Sequence, residues 1–198
     1  MSTSDIIIGP ARILYADLGT ALPDENSVGY GADWGEDWEE IALTKTPFTM
    51  NRNVSTFDVM VEQSTLPVKR SVTEEKVAYE TTLAEFTAAY LQLAMEGTVT
   101  PTPAGAAQVA KEELLAGGQA KLTERTWAVE GLYEDANGNK FPIRIQIWRA
   151  TAVLNGELQF AKSDSAGIPL RIDALGDLTK PVGQQLFIVQ KVTAAATS

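Results

Sequence analysis

The sequence predicts a mainly β fold of antiparallel strands with one flanking α-helix. Three observations predict it. Apolar and polar residues alternate at period two through most of the chain, Asn-Gly pairs stand between alternating runs, and apolar residues recur at helical spacing in only one place.

The alternation opens in Val54 to Gln63, where Phe57, Val59 and Val61 share one parity and Thr56, Asp58 and Glu62 the other. Glu74 to Leu83 repeats it, with Val77 and Tyr79 set against Glu74, Lys76 and Glu80. Arg125, Trp127 and Val129 alternate with Glu124, Thr126 and Glu130, and Ile143, Ile145 and Ile147 with Arg144, Gln146 and Trp148. Leu158 and Phe160, then Ile168, Leu170 and Ile172, continue the pattern. Each run predicts a strand with one buried and one solvated face. Asn137-Gly138 predicts a hairpin turn between strands ending near Tyr133 and starting near Phe141. Asn155-Gly156 predicts another between Leu154 and Glu157, because Asn-Gly tolerates positive φ at both centres of a type I′ turn.

The helix is predicted from Thr82 to Glu85, which reads as a capping box, followed by Leu83, Phe86, Tyr90 and Leu93 at helical spacing. Gly97 is placed to end it. Such a stripe packs on a sheet far more often than it forms a cofactor site. Two stretches interrupt the strands. Thr65 to Thr73, with Pro67, Lys69 and Arg70, reads as a long hairpin tip, and Thr98 to Gly118 as an exposed excursion with a short helix near 106–115. That excursion, near 98–120, and a mobile tail from Thr193 to Ser198 complete a single domain, 1–198.

Composition removes several function classes. The chain has no cysteine and no histidine, which excludes disulfides, thiol nucleophiles, Ser-His-Asp triads and zinc sites built on Cys or His. No signal-peptide pattern or membrane-length apolar run is present, so a cytoplasm-like compartment is expected. Twenty-six acids against sixteen bases give a net charge of −10, which argues against adhesive nucleic-acid binding. Nine of those acids lie in residues 1–42 against Arg12 alone. That segment reads either as a solubilising face or as a surface kept away from nucleic acid.

Asp33, Glu36, Asp37, Glu39 and Glu40 cluster beside Trp34 and Trp38. Carboxylates beside aromatic platforms are the material of glycosidases; the simpler reading is a solvated acidic loop with two docking tryptophans. Asp135 to Asn139 opens like a calcium loop, but its glycine comes two places early and Gln146 stands where a bidentate Glu is needed. Phosphate-binding, dinucleotide and nucleophile-elbow motifs are absent. The sequence therefore predicts no catalytic residue, no cofactor and no metal.

Taken in order along the chain, the strand and turn segments resemble the major tail tube proteins of long-tailed, siphovirus-like bacteriophages. The resemblance rests on Gly9 to Ala16, Gly19 to Pro23, Trp38 to Leu43, Thr49 to Asn51 and Val61 to Val68. It continues in Ile143 to Ala152, Gly156 to Lys162, Ile168 to Leu170 and Ala174 to Asp177, and covers nearly the whole chain outside 98–120.

The resemblance implies an antiparallel β-sandwich or barrel flanked by a helix, forming rings, typically hexameric, that stack into a hollow tube guiding DNA to the host. It implies self-association within and between rings, tape measure, tail terminator and tail-tip initiator proteins as partners, and DNA that passes without specific binding. Assembly in the host bacterial cytoplasm and a place in the virion tail follow. Thr65, Leu66, Pro67, Val68, Lys69 and Arg70 are the candidates for reaching the adjacent ring. Asp58, Glu62, Glu74 and Glu80 are the candidates for a lumen wall that repels phosphate. The alternative is a capsid decoration or carbohydrate-binding module using Trp34 and Trp38.

Overall fold

In the computed structural model, described for residues 6–41, 43–118, 121–135, 138–160 and 165–194, the chain is mostly antiparallel β with one short helix. The elements are β1 (Ile6–Asp17), β2 (Trp38–Ile41), β3 (Thr49–Val59), β4 (Lys69–Leu83), α1 (Ala88–Met95) and β5 (Gly97–Thr102). They are followed by β6 (Lys111–Ala116), β7 (Glu124–Glu134), β8 (Lys140–Leu154), β9 (Ile168–Ala174) and β10 (Phe187–Lys191). An eight-stranded sheet runs β2-β1-β7-β8-β9-β4-β3, with β10 beside β8 beyond the end of β9; β5 and β6 form a separate hairpin.

The large sheet curls until its two sides meet. Just after β2, Thr44 bridges to Leu83 at the end of β4, Lys45 N–H donates to Thr82 O at 2.7 Å, and Ala84 N–H donates to Leu43 O at 3.0 Å. Closing a sheet in this way removes edges that would otherwise stay unpaired. Inside the curl lies one core, to which β1 and β2 give Ile13 and Ile41, β4 gives Val77, Tyr79 and Leu83, and β7 gives Trp127. Ile147, Ala150 and Ala152 of β8, Ile168, Leu170 and Ile172 of β9, and Leu93 and Ala94 of α1 complete it. Burial pushes the Tyr79 hydroxyl up to about 12.

The helix differs from its prediction at both ends. β4 continues through Thr82 and Leu83, which pair with Pro169 and Ile168, so the expected capping box is strand. The cap is Thr87, whose side chain accepts from Tyr90 N–H at 3.2 Å. Leu83 is core, but from the strand, while Tyr90 and Leu93 reach the core from the helix. Phe86 precedes α1 and stays exposed against Phe160. At the other end Glu96 takes φ 53, and its carboxylate accepts from Thr123 N–H at 2.9 Å and Thr123 Oγ at 2.7 Å. Gly97 instead opens β5, where an added Cβ would lie 2.5 Å from Leu115 O.

Other expectations are corrected too. Residues 106–115 hold no helix; β6 pairs there with β5. Lys69 to Thr73 is strand, so the tip that joins β3 to β4 is Met60 to Val68. β8 runs to Leu154 and the next strand begins at Ile168; Glu157 to Phe160 is not strand, although Leu158 still packs at the core. Asn137 lies outside the described residues, while Gly138 beside it takes φ 83. The tail from 195 onward also lies outside them.

Candidate assembly surfaces

The outer face of the curled sheet is covered in one part and bare in another. Over β1, β7 and β8 it is covered by the acid-rich segment between β1 and β2, and a buried ion network fixes the cover. Glu130 of β7 is fully buried, and its Oε1 accepts from Arg144 Nε at 3.0 Å. Its Oε2 accepts from Arg12 Nη1 at 2.7 Å and from Gly31 N–H at 3.1 Å. Arg144 donates on to Val28 O at 2.6 Å and Pro23 O at 3.3 Å. Arg12 forks onto Glu40 with contacts of 3.0 and 2.6 Å and reaches Ala32 O at 3.2 Å. Gln146 donates to Thr20 O at 2.9 Å. These polar residues of β7 and β8 were expected at solvent; they are buried, because Glu130 is paired with Arg144 and Arg12 while Arg144 and Gln146 donate to carbonyls of the covering loop.

Across β3, β4, β9 and the second half of β8 no such cover is formed by the described residues. Register shows which residues share it, since directly paired residues point the same way. Glu80 pairs with Thr49 and with Arg171, and Thr151 pairs with Asp173 and with Glu124. Arg171 contacts Asp173 at 2.8 Å and Glu80 at 3.5 Å, and Arg149 contacts Glu124 at 2.7 and 2.9 Å. Glu74 lies on this face as well, paired to Lys76 at 2.8 Å.

β3 and the first half of β4 leave the body as a two-stranded arm exposed on both faces. The alternation of β3 thus describes an arm and not the half-buried strand expected. Apolar side chains mark both its sides. Phe57 is 61% exposed on the outer face, Val72 is 62% exposed on the opposite one, and Leu66 at the tip is 70% exposed. Thr65, Pro67 and Val68 share the tip, while Lys69 and Arg70 begin β4. The four acids expected on one wall are dispersed. Glu74 and Glu80 share the outer face; Asp58 pairs with Arg70 on the inner side of the arm, at 2.6 and 2.8 Å; Glu62 is in the tip.

A family model described as phage tail tube protein matches residues 1–195. The chain belongs to that family. No curated protein matches it. Family membership makes this a structural component of the virion tail, mostly antiparallel β with a single short helix, as its sequence predicted.

For a tail tube protein the two tryptophans act as internal packing. Trp34 and Trp38 are 7% and 8% exposed, meet edge to face at 5.2 Å, and hold Arg144 5.1 Å from the Trp34 ring. That burial removes the glycan platform on which the alternative reading depended. The neighbouring acids go to separate tasks. Asp33 caps Gly35 N–H at 2.9 Å, Glu40 holds Arg12, and Glu39 accepts from the Tyr15 hydroxyl. Glu36, Asp37 and Glu39 line an open cleft of about 400 Å³ with Asp17 and Arg125, and among the described residues no group of acids is set to hold a metal ion.

Ion pairing also sets the acid response of this tail tube protein. Hydrogen bonds from Arg12, Arg70 and Arg149 hold the Glu40, Asp58 and Glu124 carboxyls below their usual range, and those from Thr179 do the same for Asp177. A carboxyl depressed in the folded state stabilises it above its unfolded pKa and loses that contribution as pH falls through the folded value. With no histidine or cysteine, nothing opposes this near neutrality. The melting temperature is expected to stay level from about pH 6 to 8 and to fall below about pH 4, as calorimetry across pH would show.

Proposed function

We propose that the chain polymerises into rings, hexameric as in the family it resembles, which stack into a hollow tube through which phage DNA passes. The observation that carries the reading is the arm of β3 and β4. It projects from a closed body with apolar residues on both faces and at its tip, on a chain whose core is already complete. Met60, Val61, Leu66 and Val68 are exposed together at its tip; clustered apolar side chains mark a protein contact, and a head-to-tail contact repeats into a filament. The tip, Thr65 to Val68, with Lys69 and Arg70 behind it, is assigned to the adjacent ring.

The uncovered outer face of β3, β4, β9 and β8 is assigned to the lumen, with Glu74 and Glu80 among its wall residues. Asp58 and Glu62 then belong to the arm and its contacts. Assembly takes place in the host cytoplasm, on a tail-tip initiator, around a tape measure protein and up to a terminator.

Negative-stain electron microscopy of the concentrated protein, alone and with a cognate tail-tip complex, tests this. Hollow tubes of uniform diameter are expected. A protein that stays monomeric with the tip complex present would overturn the proposal.

A further inference from the structure

The outer face of β3, β4, β9 and β8 is not the bare acidic wall that the net charge of −10 suggests. Arg149, Arg171 and Lys76 all stand on it, and each is held by a carboxylate of the same face. Arg171 lies between two, Asp173 at 2.8 Å and Glu80 at 3.5 Å; Arg149 is forked onto Glu124 at 2.7 and 2.9 Å. Lys69 is a further cation of this side, out at the start of β4 beside the arm tip.

The geometry of these pairs has a consequence for polyanions. Guanidinium binds phosphate through the same planar fork that it offers to carboxylate, so one partner occupies the donors the other would use. We infer that Glu80, Asp173 and Glu124 are masking residues: they occupy the guanidinium groups of Arg171 and Arg149 so that duplex phosphate finds neither guanidinium free on this face. This rests on assigning the face to the lumen, and it refines that reading. The wall is slippery because its cations are internally neutralised, not because it has none. Arg171 and Arg149 remain 38% and 37% exposed, so phosphate would reach them once the carboxylates were gone.

Binding of a short fluorescent DNA duplex by the full-length protein, read by anisotropy against salt, tests the masking. The variant Glu80→Gln/Asp173→Asn/Glu124→Gln removes the masks. Because it also removes three negative charges, its control is Glu25→Gln/Glu36→Gln/Glu112→Gln, an equal change made elsewhere on the surface. The Arg171 pairs are exposed and the Arg149 pair half-buried; such pairs add little stability, so the variants should fold, which their melting temperatures would show.

The unmasked variant is expected to bind at least about tenfold tighter than the control at low salt, with a salt slope steeper by about two, one unit for each guanidinium freed. Adding Arg171→Gln/Arg149→Gln should return it to the control. Equal binding by the unmasked variant and the control, or a gain that survives loss of both arginines, overturns the inference. Tube formation is scored separately on the wild-type protein. Absence of tubes would count against the assembly reading, while the binding comparison would still decide the masking.

Discussion

Replacing Glu130 by alanine is expected to destabilise the folded chain by about 3–5 kcal/mol, the cost of leaving a buried charge without its partner. Arg144 is the stranded group. Its side chain is 1% exposed, and Glu130 supplies the only carboxylate it contacts among the described residues. Its remaining partners, the Val28 and Pro23 carbonyls, belong to the covering loop that the same carboxylate helps to fasten through Gly31. Arg12 is better protected, because it keeps its fork onto Glu40. Loss of Glu130 should therefore loosen the loop as well as charge the interior. Urea titration followed by tryptophan fluorescence reads both, since Trp34 belongs to that loop and Trp38 follows it, both packed on Leu14, Ala16 and Ala128 of the sheet. Glu130→Leu combined with Arg144→Met should recover most of the loss, because two apolar groups need no partners. A cost under about 1 kcal/mol for the alanine variant would mean that packing, and not the ion network, holds the cover in place.

That network also shows why part of this fold was legible in the sequence and part was not. Period-two alternation located β4, β7, β8 and β9, because a strand turns successive side chains to opposite faces whatever covers them. It could not tell that Glu130, Arg144 and Gln146 are buried, since alternation records chemical type and not exposure. The partners that bury them are distant in sequence: Arg12 lies 118 residues from Glu130. The described acids of residues 1–42 are exposed, as the sequence suggested, but it could not show that Glu40 is tied to Arg12 or that Asp33 serves a turn.

Local signals failed where pairing outcompeted them. Thr82 to Glu85 has the composition of a cap, but the ladder of β4 with β9 claims Thr82 and Leu83 first. Lys111 to Ala116 is rich in helix formers, yet pairing with β5 makes it strand; propensity is a weak prior against tertiary contact. Facing of the candidate acids depended on register. Ser55 lies opposite Glu74, so from Thr49 to Ser55 the odd residues of β3 share a face with the even residues of β4; a register shift follows, Asp58 pairs with Arg70, and Asp58 falls on the other side from Glu74 and Glu80. No tight turn fixes that register from sequence, because the connection runs from Met60 to Val68. Family resemblance compensated, since it rests on the order of segments and not on their facing.

Replacing Phe57 and Val72 by serine is expected to leave the isolated subunit as stable as before, within about 0.5 kcal/mol, while abolishing polymerisation at working concentrations. Both side chains are more than half exposed in the subunit, so their loss opens no cavity in its core. In an assembly their value is the apolar area that a neighbour removes from water, about 1.5–3 kcal/mol for a large side chain fully buried. Two such losses at each arm contact should raise the critical concentration by about a hundredfold or more, one factor of ten for each 1.4 kcal/mol. The two residues lie on opposite faces of the arm, so the single variants separate the faces. If only Phe57→Ser blocks assembly, the arm docks by its outer face; if each does so, the arm is enclosed. An isolated two-stranded ladder is marginal in water, but this one is anchored where β4 joins β9, so the arm should persist in the variant monomer. Sedimentation across a concentration series reads the critical concentration, and thermal melting reads the subunit. Unchanged assembly by the double variant would remove the arm from the contact that builds the tube.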